Sequence, residues 1–160
     1  MSIDTQVLQQ VVVDVCSGML GLTVEPSPGI STDESEALSA VIRVSGEWES
    51  LIQVLAPMAT ARTIASNMFA TEEAELTESE IRDAFGEIAN MVGGNLKGIV
   101  DRETSLSLPC VGPADGCSPF GGEFAGISVV NLCGGDALVV RMLDRSHAPD
   151  DFPAEMPVQG

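Results

Sequence analysis

The 160-residue chain has no tyrosine, one tryptophan and one histidine, and only 7 Lys and Arg against 24 Asp and Glu. Each scarcity excludes something. A net charge of -17 repels phosphate backbones and anionic lipid, so neither nucleic acid nor a membrane surface is an expected partner. The single His147 and the four cysteines (Cys16, Cys110, Cys117 and Cys133) contain no CxxC pair, which argues against structural zinc and for buried, reduced thiols. No apolar run reaches membrane-spanning length. Met1 to Gln10 holds Asp4 and no Lys or Arg, so a signal peptide is not expected and the reading is cytoplasmic. The sequence offers no Gly-rich phosphate loop ahead of a helix, because Gly116–Gly122 leads into a strand pattern.

What is present suits one core. Apolar residues make up 44% of the chain, enough for a single domain over 1–145, with an acidic, Pro-rich and mobile tail over 146–160. Val7, Leu8, Val11, Val12, Val15 and Met19 recur at helical spacing and predict a helix over 6–20. A loop is expected over 25–36. Strands follow at 38–45 and 48–56, joined by a Gly46-Glu47 turn. Trp48 reads as a packing residue at a strand start. Pro57 starts a second helix, whose stripe is Met58, Ala61, Ile64, Ala65, Met68 and Phe69. After an acidic linker over 71–75, Thr77 and Glu80 form a T-x-x-E capping box opening a long helix to about Val100. Three strands close the chain, at 105–111, 124–132 and 137–144. Pro109 marks the first as an edge or bulge, and Cys133-Gly134-Gly135-Asp136 reads as a hairpin turn between the other two. The order predicts an α+β fold built on hairpins.

The long helix divides cleanly by angle. With about 100° per residue, Ile81, Ala84, Phe85, Ile88, Val92, Leu96 and Ile99 share one face, which predicts the core side. Asp83, Glu87, Asn90, Gly94, Lys97 and Asp101 gather on the opposite side. Asp83, Glu87 and Asn90 stand at i, i+4 and i+7, so three polar groups form one ridge. Any solvated helix carries such residues. Asn in mid-helix and the pair Gly93-Gly94 are less ordinary, because both cost helix stability. They fit either a close backbone approach from a partner or close packing within the fold.

Around that ridge, Gly86-Glu87-Ile88-Ala89-Asn90-Met91-Val92-Gly93-Gly94-Asn95 resembles the CheC/CheX/FliY family of chemotaxis phosphatases, and its CheX branch in particular. Ser107-Leu108-Pro109-Cys110-Val111 resembles the family's proline-bearing strand, and Met19-Leu20-Gly21-Leu22 resembles CheX openings. The likeness runs from about residue 3 to 144. Pro109 stands nearer to Asn90 than the family pattern places its proline, and Pro113 sits at the family spacing; strand context favours Pro109.

The resemblance implies a mixed or antiparallel sheet with long helices packed on it, in two half-repeats about a pseudo-twofold axis. The first helix is then the partner copy of the third. Matching Gly21 to Gly94 puts Asp14 and Ser17 where Glu87 and Asn90 stand, so one site per chain is expected. The resemblance further implies a phosphatase acting on the aspartyl phosphate of a CheY-like response-regulator receiver domain. Asn90 would position the attacking water and Glu87 would pair with the receiver's Lys. Asp83, Gly94 and Lys97 would contact the partner. The chain needs no cofactor of its own, with Mg2+ expected in the receiver, and it is expected to pair as a homodimer. The alternative is a non-enzymatic adaptor of the same fold, binding a receiver or a flagellar-switch component.

Overall fold

The computed structural model describes residues 3–27, 36–114, 126–133, 136–146, 150 and 152–153. Helix α1 spans Thr5–Asp14 and widens into a π turn over Val15–Met19. Asp4 caps it, its side chain accepting from Val7 N at 2.8 Å. Leu22 N closes back on Cys16 O at 2.8 Å, with Gly21 between them at φ +65°. That left-handed position is why a glycine ends this helix.

Strand β1 (Val24–Pro26) runs into the start of the stretch expected to be loop. Strands β2 (Ala37–Gly46) and β3 (Ser50–Pro57) form the expected hairpin, in a register pairing Ile42 with Ile52. Helix α2 (Met58–Phe69) follows directly. Ala61, Ile64 and Ala65 are buried as expected, but Phe69 is 40% exposed. It is the last helical residue, where the chain turns out through Ala70 in the left-handed region. Helix α3 (Glu78–Val100) opens on the predicted capping box, in which Glu80 N donates to Thr77 Oγ1 and Thr77 N donates to Glu80 Oε1.

The strand expected over 105–111 is two short ones, β4 (Thr104–Leu106) and β5 (Cys110–Pro113). Both pair with β2, and Ser107–Pro109 lie in the gap between them. Pro109 has no N–H for a ladder, so a break rather than a bulge accommodates it. Strands β6 (Ile127–Cys133) and β7 (Asp136–Asp144) complete the sheet; Gly134 and Gly135 of the expected turn, like His147 and Cys117, lie outside the described residues.

All seven strands join one antiparallel sheet in the order β1-β6-β7-β3-β2-β4, with β5 also on β2. One face, carrying Leu38, Ala40, Ile42, Ile52, Val54, Leu138 and Val140, packs against all three helices in the main core. The other holds a smaller cluster of Ala37, Leu55, Ala114, Ala137 and Val139. Burial on both faces turns β3 into a continuous buried run rather than an alternating one.

Trp48 is buried, its Nε1 donating to Asp144 Oδ2 at 2.9 Å. Cys16, Cys110 and Cys133 are free and buried. Burial, with a further contribution from Cys133, pushes the Cys16 thiol up to about 12, and burial followed by Asp136 raises Cys133. Such thiols stay protonated and act as small hydrophobes. Of the tail, Phe152 stacks on the Arg43 guanidinium at 5.0 Å and Pro153 O accepts from Arg43 Nη1 at 3.1 Å; most of the remainder lies outside the described residues. Among the described residues no helix is long and apolar enough to cross a membrane.

Candidate functional site

Helix α3 lies across the sheet with its two faces sorted as the sequence predicts. Ile81, Ala84, Phe85, Ile88, Val92 and Leu96 are buried, whereas Asp83, Glu87 and Gly94 are exposed. Asn90 and Lys97 are half-buried on the same side, and Ile99, on the expected core face, is also half-buried. The ridge of Asp83, Glu87 and Asn90 is therefore present and open. Asn90 Nδ2 approaches Glu87 Oε2 at 3.5 Å, the outer limit of a hydrogen bond. The two groups face one point without being locked together, which leaves both able to engage something else.

A shallow cleft of about 310 Å³ runs beside the ridge. Arg82, Asp83, Gly86, Glu87 and Asn90 line it from α3, and Pro109 and Val111 line it from the opposite wall. Gly86 makes this closeness possible. A Cβ built there would lie 3.1 Å from both Pro109 Cγ and Val111 Cγ2, tighter than ordinary van der Waals contact. The sequence marks Gly93 and Gly94 as the unusual pair but passes over Gly86; its signal is a glycine on the helix flank that a proline-bearing strand has to approach. Gly93 turns out to serve internal packing, since a Cβ there would touch Ile42 and Leu106 at 3.4 Å, whereas Gly94 faces open space.

Pro109, not Pro113, belongs to the cleft; Pro113 is exposed at the end of β5. Lys97 lies further along α3 and does not line it. Arg82 and Val111 are additional walls that the sequence does not single out. Arg82 brings a positive charge to a mostly acidic ridge, so the cleft wall carries both signs. Among the described residues no group of three or more His, Cys, Asp or Glu is placed to hold a metal ion. Chemically, the arrangement presents two carboxylates, Asp83 and Glu87, and one amide, Asn90, along one side of a helix. It holds no nucleophile paired with a base.

Helix α1 does not reproduce this arrangement. The sequence offset that carries N-cap Asp4 onto N-cap Thr77 also carries Asp14 onto Glu87, Ser17 onto Asn90 and Gly21 onto Gly94. Yet Ser17 Oγ donates to Val13 O at 2.8 Å, and Asp14 Oδ1 accepts from Gln10 Nε2 at 2.8 Å. The π turn starts directly after Asp14.

Residues 38–116, from β2 to just past β5, match the family model of the chemotaxis phosphatase CheX. No curated protein matches the chain in sequence. Among solved structures, chemotaxis protein CheX from Vibrio vulnificus is 20% identical with a TM-score of 0.67, covering 86% of this chain and 93% of its own. The CheX–CheY–BeF3–Mg2+ complex from Borrelia burgdorferi matches at 15% identity and TM-score 0.65, over 89% and 99% of the respective chains. FliY from Thermotoga maritima matches at 13% identity and TM-score 0.54, over 92% and 94%. By the family model over residues 38–116, and by a fold shared over most of its length, the chain resembles the CheC/CheX/FliY family of chemotaxis phosphatases, and its CheX-like branch in particular.

Proposed function

We propose that this chain is a phosphatase that hydrolyses the aspartyl phosphate of a CheY-like receiver domain, working through Glu87 and Asn90. The observation that carries the reading is the exposed pairing of these two side chains on one ridge of α3, beside the Pro109 cleft. The CheX–CheY complex among the similar structures supports the choice of partner.

An acyl phosphate needs little chemical help. Water attacks phosphorus in line, the bond from phosphorus to the aspartyl oxygen breaks, and inorganic phosphate leaves a free carboxylate on the receiver. The phosphatase has only to place the water and hold the receiver. The Asn90 amide carries one acceptor and two donors, so it orients a water without exchanging a proton. Glu87 gives a charge-assisted bond to the receiver's lysine, aligning the two proteins. Asp83, Gly94 and Lys97 meet the partner around them. The receiver's own Mg2+ neutralises charge on the phosphoryl oxygens; this chain contributes no metal ligand to the step.

The test is phosphate release from a phosphorylated receiver of the same organism. The wild type accelerates release. Asn90→Ala loses most of that acceleration, on the order of a hundredfold, while still binding the receiver and melting normally. Glu87→Ala weakens binding as well as turnover. Wild-type rates in both variants would rule out this mechanism, and binding without any acceleration would point to an adaptor of the same fold.

A further inference from the structure

Leu108 is 89% exposed, far more than Phe69, the other exposed large hydrophobic among the described residues. An exposed leucine by itself is ordinary. What distinguishes this one is how its backbone is held. On one side Ser107 N donates to Arg43 O and Arg43 N donates to Ser107 Oγ, both at 2.9 Å. Ser107 Oγ also donates to Leu108 O at 3.0 Å. On the other side Pro109 is pressed against Gly86, where even a methyl group would lie 3.1 Å from the ring. Flanking β4 and β5 are both paired to β2. The apolar side chain is thus presented outward from a backbone with little freedom left to lose. Pro109, its immediate neighbour, lines the same cleft as Glu87 and Asn90.

We infer that Leu108 is the apolar anchor through which this chain docks its receiver domain, seated in an apolar hollow on the receiver beside the phosphorylated aspartate. The inference rests on the reading of Glu87 and Asn90 given above and adds to it the source of affinity. The ridge itself is charged and polar, so its attraction to a partner is screened by salt. A leucine on a held backbone adds a contact that salt does not screen, and the cost of ordering that backbone has already been met within the fold, which leaves only the side chain to order on binding. Leu108 has no group that can orient water. It therefore acts on binding, and the chemistry stays with Asn90.

The experiment compares wild type, Leu108→Ser, Leu108→Met and Asn90→Ala on one phosphorylated receiver. It also measures binding to the same receiver carrying beryllofluoride and Mg2+. Leu108→Ser is expected to raise KM and Kd about tenfold or more, with kcat changing by less than about twofold and the melting temperature unmoved. Leu108→Met restores most of the affinity, because it restores apolar area without the leucine shape. Wild-type KM and Kd in Leu108→Ser, alongside an inactive Asn90→Ala, overturn the anchor while leaving the active ridge in place. A fall in kcat with unchanged KM overturns it too. Failure of the wild type to bind any receiver overturns both the anchor and the reading on which it rests.

Discussion

A Cβ added at Gly86 would lie 3.1 Å from Pro109 and Val111, whereas one added at Gly94, two turns further along the same helix, would meet nothing within 4 Å. Both glycines cost helix stability relative to alanine, by about 0.5–1 kcal/mol each. At Gly86 the wall of the cleft explains the cost. At Gly94 nothing inside the fold does, and the residue lies on the exposed side with Asp83 and Glu87. Gly94→Ala is therefore expected to stabilise the free protein by about 0.5–1 kcal/mol, read as a higher urea midpoint, and to weaken receiver binding severalfold by obstructing the approach of the partner. Stabilisation with unchanged affinity would remove Gly94 from the docking surface. The sequence shows that Gly93 and Gly94 are both expensive. It cannot show that one is needed by Ile42 and Leu106 and the other by no neighbour, because that depends on how the sheet lies under the helix.

At the scale of the element, α3 is the most legible part of the chain. Its start is written in Thr77 and Glu80, its inner face in the spacing from Ile81 to Leu96, and its outer ridge in Asp83, Glu87 and Asn90. All of these are local properties, set by helix geometry and capping chemistry alone. The capping box keeps the first turn from fraying just before Asp83 and Glu87. Thr77→Ala is expected to cost about 1 kcal/mol, measured by urea denaturation, and to leave phosphatase turnover near wild type at temperatures well below the melting point. A loss of turnover without a loss of stability would mean that the cap acts on the site directly.

Other elements are less legible because their cause is not local. Strand β1 has three residues, ends in Pro26 and exists because β6 pairs with it. The break at Ser107–Pro109 reflects the pairing of both flanking strands with β2 and the descent of Pro109 onto Gly86. The same is true of Phe69, whose helical spacing points inward but whose helix ends at that residue.

At the scale of the whole molecule, the sheet order shows the two halves. The β2–β3 and β6–β7 hairpins meet antiparallel at β3 and β7, in the middle of the sheet. Strand β1 of the first half pairs with β6 of the second, and β5 of the second pairs with β2 of the first. Each half thus lends a strand to the other, α1 corresponds to α3, and among the described residues α2 has no counterpart. The symmetry stops short of the site. Where α3 continues as a regular helix past Glu87 and Asn90, α1 opens into a π turn after Asp14 and ends at Met19. A π turn makes i→i+5 bonds and spreads residues that an α-helix would stack at i and i+3. Installing the side chains is thus not sufficient to install the site. In an Asn90→Ala background, the double substitution Asp14→Glu and Ser17→Asn is expected to restore no phosphate release, although it places a Glu and an Asn at the corresponding positions. Measurable release from that triple variant would show that α1 can adopt the α3 geometry, and that side-chain identity rather than helix shape limits the chain to one site.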